Sequence, residues 1–196
     1  MSLTPKQLLI GLIAGLCSLS AQAEWELNSA KSSFYYVTSK AAAISEINTF
    51  TNFSGDIANN GAVTIEIDLD SVDTGIEIRN QRVKDILFKT QQYPTATVST
   101  NINISTLANM AAGTISVVSY NYSLSLHGVT TELSADLRLT KISGSQIEIQ
   151  PAQPIIIGAN LFGLTEGLEA LREVAGLPSI NPNVVVDFSL SFDEGM

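Results

Sequence analysis

The sequence predicts an all-β fold: an antiparallel eight-stranded barrel with one or two short helices. Three observations carry this expectation. Segments with period-two alternation of apolar and polar residues dominate residues 32–192, the pattern of strands with one dry and one wet face. Tight-turn signals, Asn60-Gly61 and His127-Gly128, join neighbouring segments as hairpins. Strong helical spacing occurs in one place, at Leu164, Leu168, Leu171 and Val174, and so little helix cannot cover such a sheet. The dry face must then be hidden by closing the sheet into a barrel or by packing two sheets as a sandwich. A β-bulge read in Thr114–Leu126, the alternation throughout and the single strong helix favour a barrel with a helix over one end or side, while the sandwich remains open at this level.

The elements follow in order. Residues 1–23 read as a cleaved signal peptide: Lys6 is a small positive start, Leu8 to Cys17 an apolar run, and Ala21-Gln22-Ala23 a small-x-small cleavage site. The run is too short to span a bilayer, which takes roughly 20 apolar residues. Leu16 before Cys17 argues against a lipobox. Residues 24–196 then form one domain, long enough for a full core. Ser32–Ser39 carries the β-rich cluster Phe34-Tyr35-Tyr36-Val37, and Phe50–Ile57 precedes Asn59-Asn60-Gly61. Val63, Ile65, Ile67 and Leu69 alternate with Thr64, Glu66, Asp68 and Asp70, after which Ser71-Val72-Asp73-Thr74-Gly75 breaks the strand. A weaker helix covers about Arg79–Lys89, Tyr93-Pro94 ends it, and Thr95–Ile104 is the next strand.

In Thr114–Leu126 the apolar parity changes from odd (Ile115, Val117) to even (Tyr120, Tyr122, Leu124, Leu126), which predicts a β-bulge near Val118-Ser119. Val129–Leu139 returns with Leu133, Ala135, Leu137 and Leu139 on one face. Gln146–Ile157 gives one or two strands interrupted at Pro151 and Pro154. Thr165 is placed to cap the helix that Gly176 and Pro178 end. Val184, Val186, Phe188, Leu190 and Phe192 face inward on the last strand.

Composition excludes several functions. The formal charge is −9, or −10 without Lys6, so nothing attracts nucleic acid or an anionic membrane, and stable membrane insertion after cleavage is not expected. The one cysteine, Cys17, lies in the leader, so the domain has no thiol chemistry, disulfide or cysteine-bound metal. One histidine, His127, cannot build a zinc site, and no serine sits in a nucleophile elbow. Asp68, Asp70 and Asp73 lack the glycine-centred loop of a calcium site and read as a solvated face. No catalytic residue, metal or cofactor is assigned, and the chain is expected not to be an enzyme.

The inward strand positions are Val, Ile, Leu, Phe and Tyr, and this register puts no charged residue among them. An eight-stranded barrel either fills with side chains or holds one slender guest, and the alternation fits both a filled core and a lipid pocket. The pocket reading names Phe34, Tyr36, Ile65, Ile67, Leu69, Phe88, Val98, Tyr120, Tyr122, Leu124, Leu126, Leu137, Val186 and Phe188 as lining. Arg79, Arg82 and His127 are candidate head-group contacts; the arginines are alternatively surface charges paired with Asp85 or Glu77, and His127 a turn residue.

An ordered set of motifs carries a resemblance. Trp25 and Ser33-Phe34 come first, then Ser71-Val72-Asp73-Thr74, Arg79 and Arg82, Leu87-Phe88, and Tyr93-Pro94-Thr95-Ala96. Leu124-Ser125-Leu126-His127-Gly128-Val129-Thr130 closes the series. Together they resemble the YceI family of secreted, lipocalin-like lipid-binding proteins. The resemblance implies a lipocalin-like barrel whose elongated pocket takes an isoprenoid, quinone or other long apolar lipid, and a periplasmic or secreted location. It leaves the ligand and homodimerisation open. Two departures stand out: Asn80 replaces the aspartate that commonly follows Arg79, with Arg82 and Asp85 as a substitute pair, and Leu161–Pro182 carries an inserted-looking helix.

Overall fold

The computed structural model describes residues 23–195; the leader reading of residues 1–23 lies, apart from Ala23, outside them. Eight antiparallel strands close into one barrel. Strand β1 is Ala23–Leu27 and Ser33–Lys40, interrupted by a 3-10 turn at Ser29–Lys31. β2 is Ile44–Phe50 and Phe53–Ala58; β3 is Ala62–Asp68 and Val72–Asp73. β4 is Thr95–Asn101, β5 Ile115–Leu126 and β6 Val129–Ser143. β7 is Gln146–Pro151 and Ile155–Gly158, and β8 is Asn183–Glu194. Each strand pairs with its successor, and β8 returns to β1 through Leu27↔Phe192 and Phe34↔Phe188. This closure leaves the wall without a free first or last edge and excludes the sandwich.

Turn chemistry places the strands as the sequence indicates. Gly61 takes φ +86° between β2 and β3, and His127 and Gly128 both take positive φ, 53° and 78°, between β5 and β6. Two positive φ values in a two-residue link match the strand twist. The segment around Pro151 and Pro154 breaks β7 into two pieces, because proline cannot donate to the ladder.

Among the described residues, three α-helices sit outside the wall. α1, Glu77–Arg82, runs into a π-helical turn at Val83–Phe88, and Lys89 ends it at φ +50°. α2, Ile104–Asn109, was not expected; the Asn103 side chain caps it by accepting from the Ser105 amide. α3 is Thr165–Val174. Thr165 is its first residue rather than its cap, which is Leu164 and makes no side-chain cap bond.

The structure corrects three further expectations. No bulge exists near Val118-Ser119: β5 pairs with β6 without a shift from Ile115↔Thr140 to Leu126↔Val129. The change of parity arose because Ile115 and Val117 point outward, 59% and 55% exposed, while Val118 faces in. β2 begins at Ile44, six residues before the expected start, because polar Glu46 and Asn48 occupy inward positions and hide the alternation. The interior is also not free of charge. Lys40 and Glu46 face it near one end, and Lys141 is buried near the other, its Nζ 4.2 Å from the Trp25 ring centroid. An aromatic face holds an ammonium electrostatically without a carboxylate.

The wall is unevenly sealed. Most inward apolar residues of β2 to β4, among them Phe53, Ile57, Ile65, Ile67 and Ala96, are buried, Val98 only partly. Several inward residues on β5, β6 and β8, namely Tyr120, Tyr122, Leu133, Leu137 and Phe188, are only partly buried, although Leu124, Leu139, Leu190 and Phe192 on the same strands are buried. The pairing accounts for this. β5 is laddered to β6 along its whole length but to β4 only from Thr97↔Ser125 to Ser99↔Ser123. A seam therefore runs beside the first half of β5. Leu139, at 2% exposure, lies in the tight core. Leu139→Ala should cost about 2–5 kcal/mol in denaturant unfolding, and Leu137→Ala under about 2 kcal/mol because its side chain is only partly buried.

Candidate functional site

A cavity of about 410 Å³ opens at the end of the barrel where β1 ends and β2 begins. Its walls are inward residues of β1, β2, β3 and β8, with Ala96 of β4, Leu124 and Leu126 of β5 and Ile157 of β7. Its roof is α1 with its π-turn, together with α3 and the segment that follows it. α3 can roof it because its apolar stripe, Leu168 and Leu171, turns into the cavity alongside Leu164 and Leu177. The roof helices meet at Gly167: a Cβ there would stand 2.8 Å from the Ile86 carbonyl oxygen and 3.2 Å from Leu87 Cα. Only glycine permits that approach.

Of the residues named from sequence, Phe34, Tyr36, Ile67, Leu69, Phe88, Leu124, Leu126 and Val186 line this cavity, as do Arg79 and Arg82. Ile65, Val98, Tyr120, Tyr122, Leu137 and Phe188 do not. Ile65 is buried in the packed core, and the other five lie deeper along the barrel or beside the seam. His127 is not brought to the cavity either. Its ring lies 4.6 Å from Tyr93, centroid to centroid, and its Nδ1 is 3.3 Å from the Phe162 carbonyl oxygen, so it acts as a turn residue packed under the loop before α3.

The rim holds the polar groups. Glu46 Oε2 lies 2.6 Å from Arg79 Nη1 and 2.7 Å from Lys40 Nζ. Arg79 also donates to the Thr74 carbonyl oxygen. Its partner is therefore Glu46 on β2 and neither Asp85 nor Glu77; Asp85 accepts from Gln81 instead, at 2.9 Å. Asn80 is buried, and its Oδ1 accepts from the Thr74 amide at 2.8 Å and the Thr74 hydroxyl at 2.6 Å, which ties the loop to α1. The substitution of the expected aspartate is thus a structural lock, and Arg82 and Asp85 form no pair among the described residues. Lys40, Arg79 and Arg82 against Glu46 alone leave the rim net positive, in a chain whose net charge is −9.

The hydrogen bond from Arg79, then that from Lys40, holds the Glu46 carboxyl below the usual glutamate range. Burial pushes the Tyr36 phenol upward, so it stays neutral. No group of three or more His, Cys, Asp or Glu able to hold a metal occurs among the described residues. Sequence reasoning missed Lys40, Glu46 and Asn48, which lie in and beside an unrecognised strand, and the roof formed by α3. The one available signal was the α3 stripe, a large apolar face that needs a partner.

Two outcomes test this geometry. A depressed carboxyl stabilises the fold fully above its unfolded pKa, near 4.5, and loses that contribution as pH falls through the lower folded value. Chemical denaturation between pH 7 and 3 should therefore show a loss below about pH 4.5 that is smaller in Glu46→Gln. Gly167→Ala should push α3 off the π-turn at a cost of roughly 1–3 kcal/mol, with hydrogen exchange rising in α3 but not in β6.

The family model for the YceI-like domain matches residues 25–192. A solved polyisoprenoid binding domain from Saccharophagus degradans, implicated in plant cell wall breakdown, is 34% identical, with a TM-score of 0.88; the match covers 89% of this chain and all of that one. BcnA of Burkholderia cenocepacia, at 20% identity and a TM-score of 0.63 over 84% of this chain and 98% of its own, shares the fold. So does the YCEI protein of Campylobacter jejuni, at 15% identity and a TM-score of 0.56 over 76% of this chain and 85% of its own. No curated protein matches the chain.

Proposed function

The chain belongs to the YceI-like family, and from that premise we propose that it is a periplasmic or secreted binding protein for one long apolar lipid of the isoprenoid class. The carrying observation is the cavity itself: about 410 Å³, walled by apolar side chains, with its charges confined to the rim. The 34% identical relative described as a polyisoprenoid binding domain supports the ligand class. An unfilled space of this size argues against the alternative of an interior plugged with side chains, because a close-packed core has few voids larger than a water.

The energetics suit a carrier. Burying a methylene is worth about 0.8 kcal/mol, so ten carbons give roughly 8 kcal/mol before ordering costs, near the micromolar range. No charged group is needed for that affinity. The rim cations then choose the head: a phosphate or other anionic group at the mouth meets Arg82, which carries no ion pair among the described residues, and Arg79 and Lys40, which share Glu46. The site offers grip and orientation without an activated nucleophile, so we read it as binding rather than catalysis.

Protein purified from an exporting host and extracted with organic solvent should release a stoichiometric lipid on mass spectrometry. A clean extract, together with no uptake of added prenyl phosphate or quinone, would end this reading. Arg82→Ala should weaken farnesyl phosphate on the order of tenfold while leaving farnesol nearly unchanged, as read by calorimetric titration.

A further inference from the structure

Five inward residues form the floor of the cavity: Phe34, Ile67, Ala96, Leu124 and Val186. The next inward residues on β3, β4, β5 and β8 are Ile65, Val98, Tyr122 and Phe188, and none of them reaches it. The barrel does not end at that floor. Tyr122, Tyr120, Leu137 and Phe188 lie beyond it, face inward and are only partly buried. These side chains beneath the layer are therefore less completely buried than most of the floor itself.

Within that layer Ile67, Ala96 and Leu124 are buried, and Val186 is stiff at its one side-chain torsion. Phe34 differs. It is partly buried, and its ring lies at the hub of an aromatic cluster, 5.9 Å from Phe50, 6.4 Å from Phe53 and 6.5 Å from Phe188, the last stacked and in cross-strand register. It is the largest of the five floor side chains and, with Val186, one of the two that are only partly buried.

We propose that Phe34 is a gate on ligand length, dividing the interior into an upper chamber and a lower stretch that a chain enters only when the ring turns aside. The proposal rests on the lipid-binding reading above. An apolar cavity of about 150 Å³ just holds a six-carbon ring. At that ratio 410 Å³ takes roughly 16 carbons, close to three isoprene units. Up to that length each added unit fills vacant apolar space. Beyond it, each must first displace Phe34 from three aromatic neighbours.

The test is a titration series of geranyl, farnesyl, geranylgeranyl and octaprenyl monophosphate on delipidated protein. The expected affinity gain from geranyl to farnesyl is at least about tenfold, well below what full burial of five carbons allows. From farnesyl to geranylgeranyl it drops below about threefold. In Phe34→Ala the second step should recover to the size of the first, and in the milder Phe34→Leu it should recover in part. Thermal melts of both variants establish that they fold. A gain that continues undiminished past farnesyl in the parent protein overturns the gate while leaving the carrier reading intact. A break that persists unchanged in folded Phe34→Leu also overturns it. Absence of binding at every length overturns both.

Discussion

Closure of the sheet between its first and last strands is the constraint on which everything else depends. β1 and β8 are the ends of the chain's strand order, and their pairing through Leu27↔Phe192 and Phe34↔Phe188 turns eight half-apolar strands into an enclosed apolar interior. Without that ladder the inward rows of Val, Ile, Leu and Phe would face water, and burial is the dominant stabilising term in a chain whose described domain holds no disulfide. The interruptions at Ser29–Lys31, Thr51–Asn52, Leu69–Ser71 and Ala152–Pro154 bend individual strands without breaking the ring.

A closed barrel of eight strands leaves little interior to spare, so what is not filled is informative. β2 to β4 meet as a packed wall. The cavity arises at one end, where long strands run past their partners and are roofed by helices instead of filled by side chains. Its roof depends on a close helix contact at Gly167, and its rim on a single carboxylate, Glu46, shared by two cations. A carboxylate that holds Lys40 and Arg79 keeps them aimed at the mouth while leaving the rim with excess positive charge. An apolar chamber under a cationic rim matches an amphiphile with an apolar tail and an anionic head.

Much of the wall was readable in the linear sequence, and particular residues show why. Val63 to Leu69 alternate without exception and Val184 to Phe192 with Val185 as the one exception, and their inward rows are the inward rows of the barrel. Period-two patterning is a local property that each strand carries alone. The reading failed where that signal was absent or misleading. Ile44 to Thr49 was missed because Glu46 and Asn48 face the interior, where polar residues are not expected. Ile115 and Val117 suggested a bulge because exposed apolar residues on an outer face look like core. His127 was placed with the head-group candidates, although a turn with positive φ carries it under Phe162 and away from the mouth.

The amino-acid order by itself determined the strand faces, the hairpin turns, the position of the strong helix and the family resemblance, because each depends on neighbours a few residues apart. Tertiary structure alone decided which inward side chains border empty space. Val98 and Tyr122 face inward as Ile67 and Leu124 do, yet the latter line the cavity and the former do not. That difference comes from how far β4 and β5 stay paired, where α3 settles against the π-turn, and which distant carboxylate reaches Arg79. Those are contacts between segments far apart in the chain, and a cavity is the volume such contacts leave over, so no single stretch of residues encodes it.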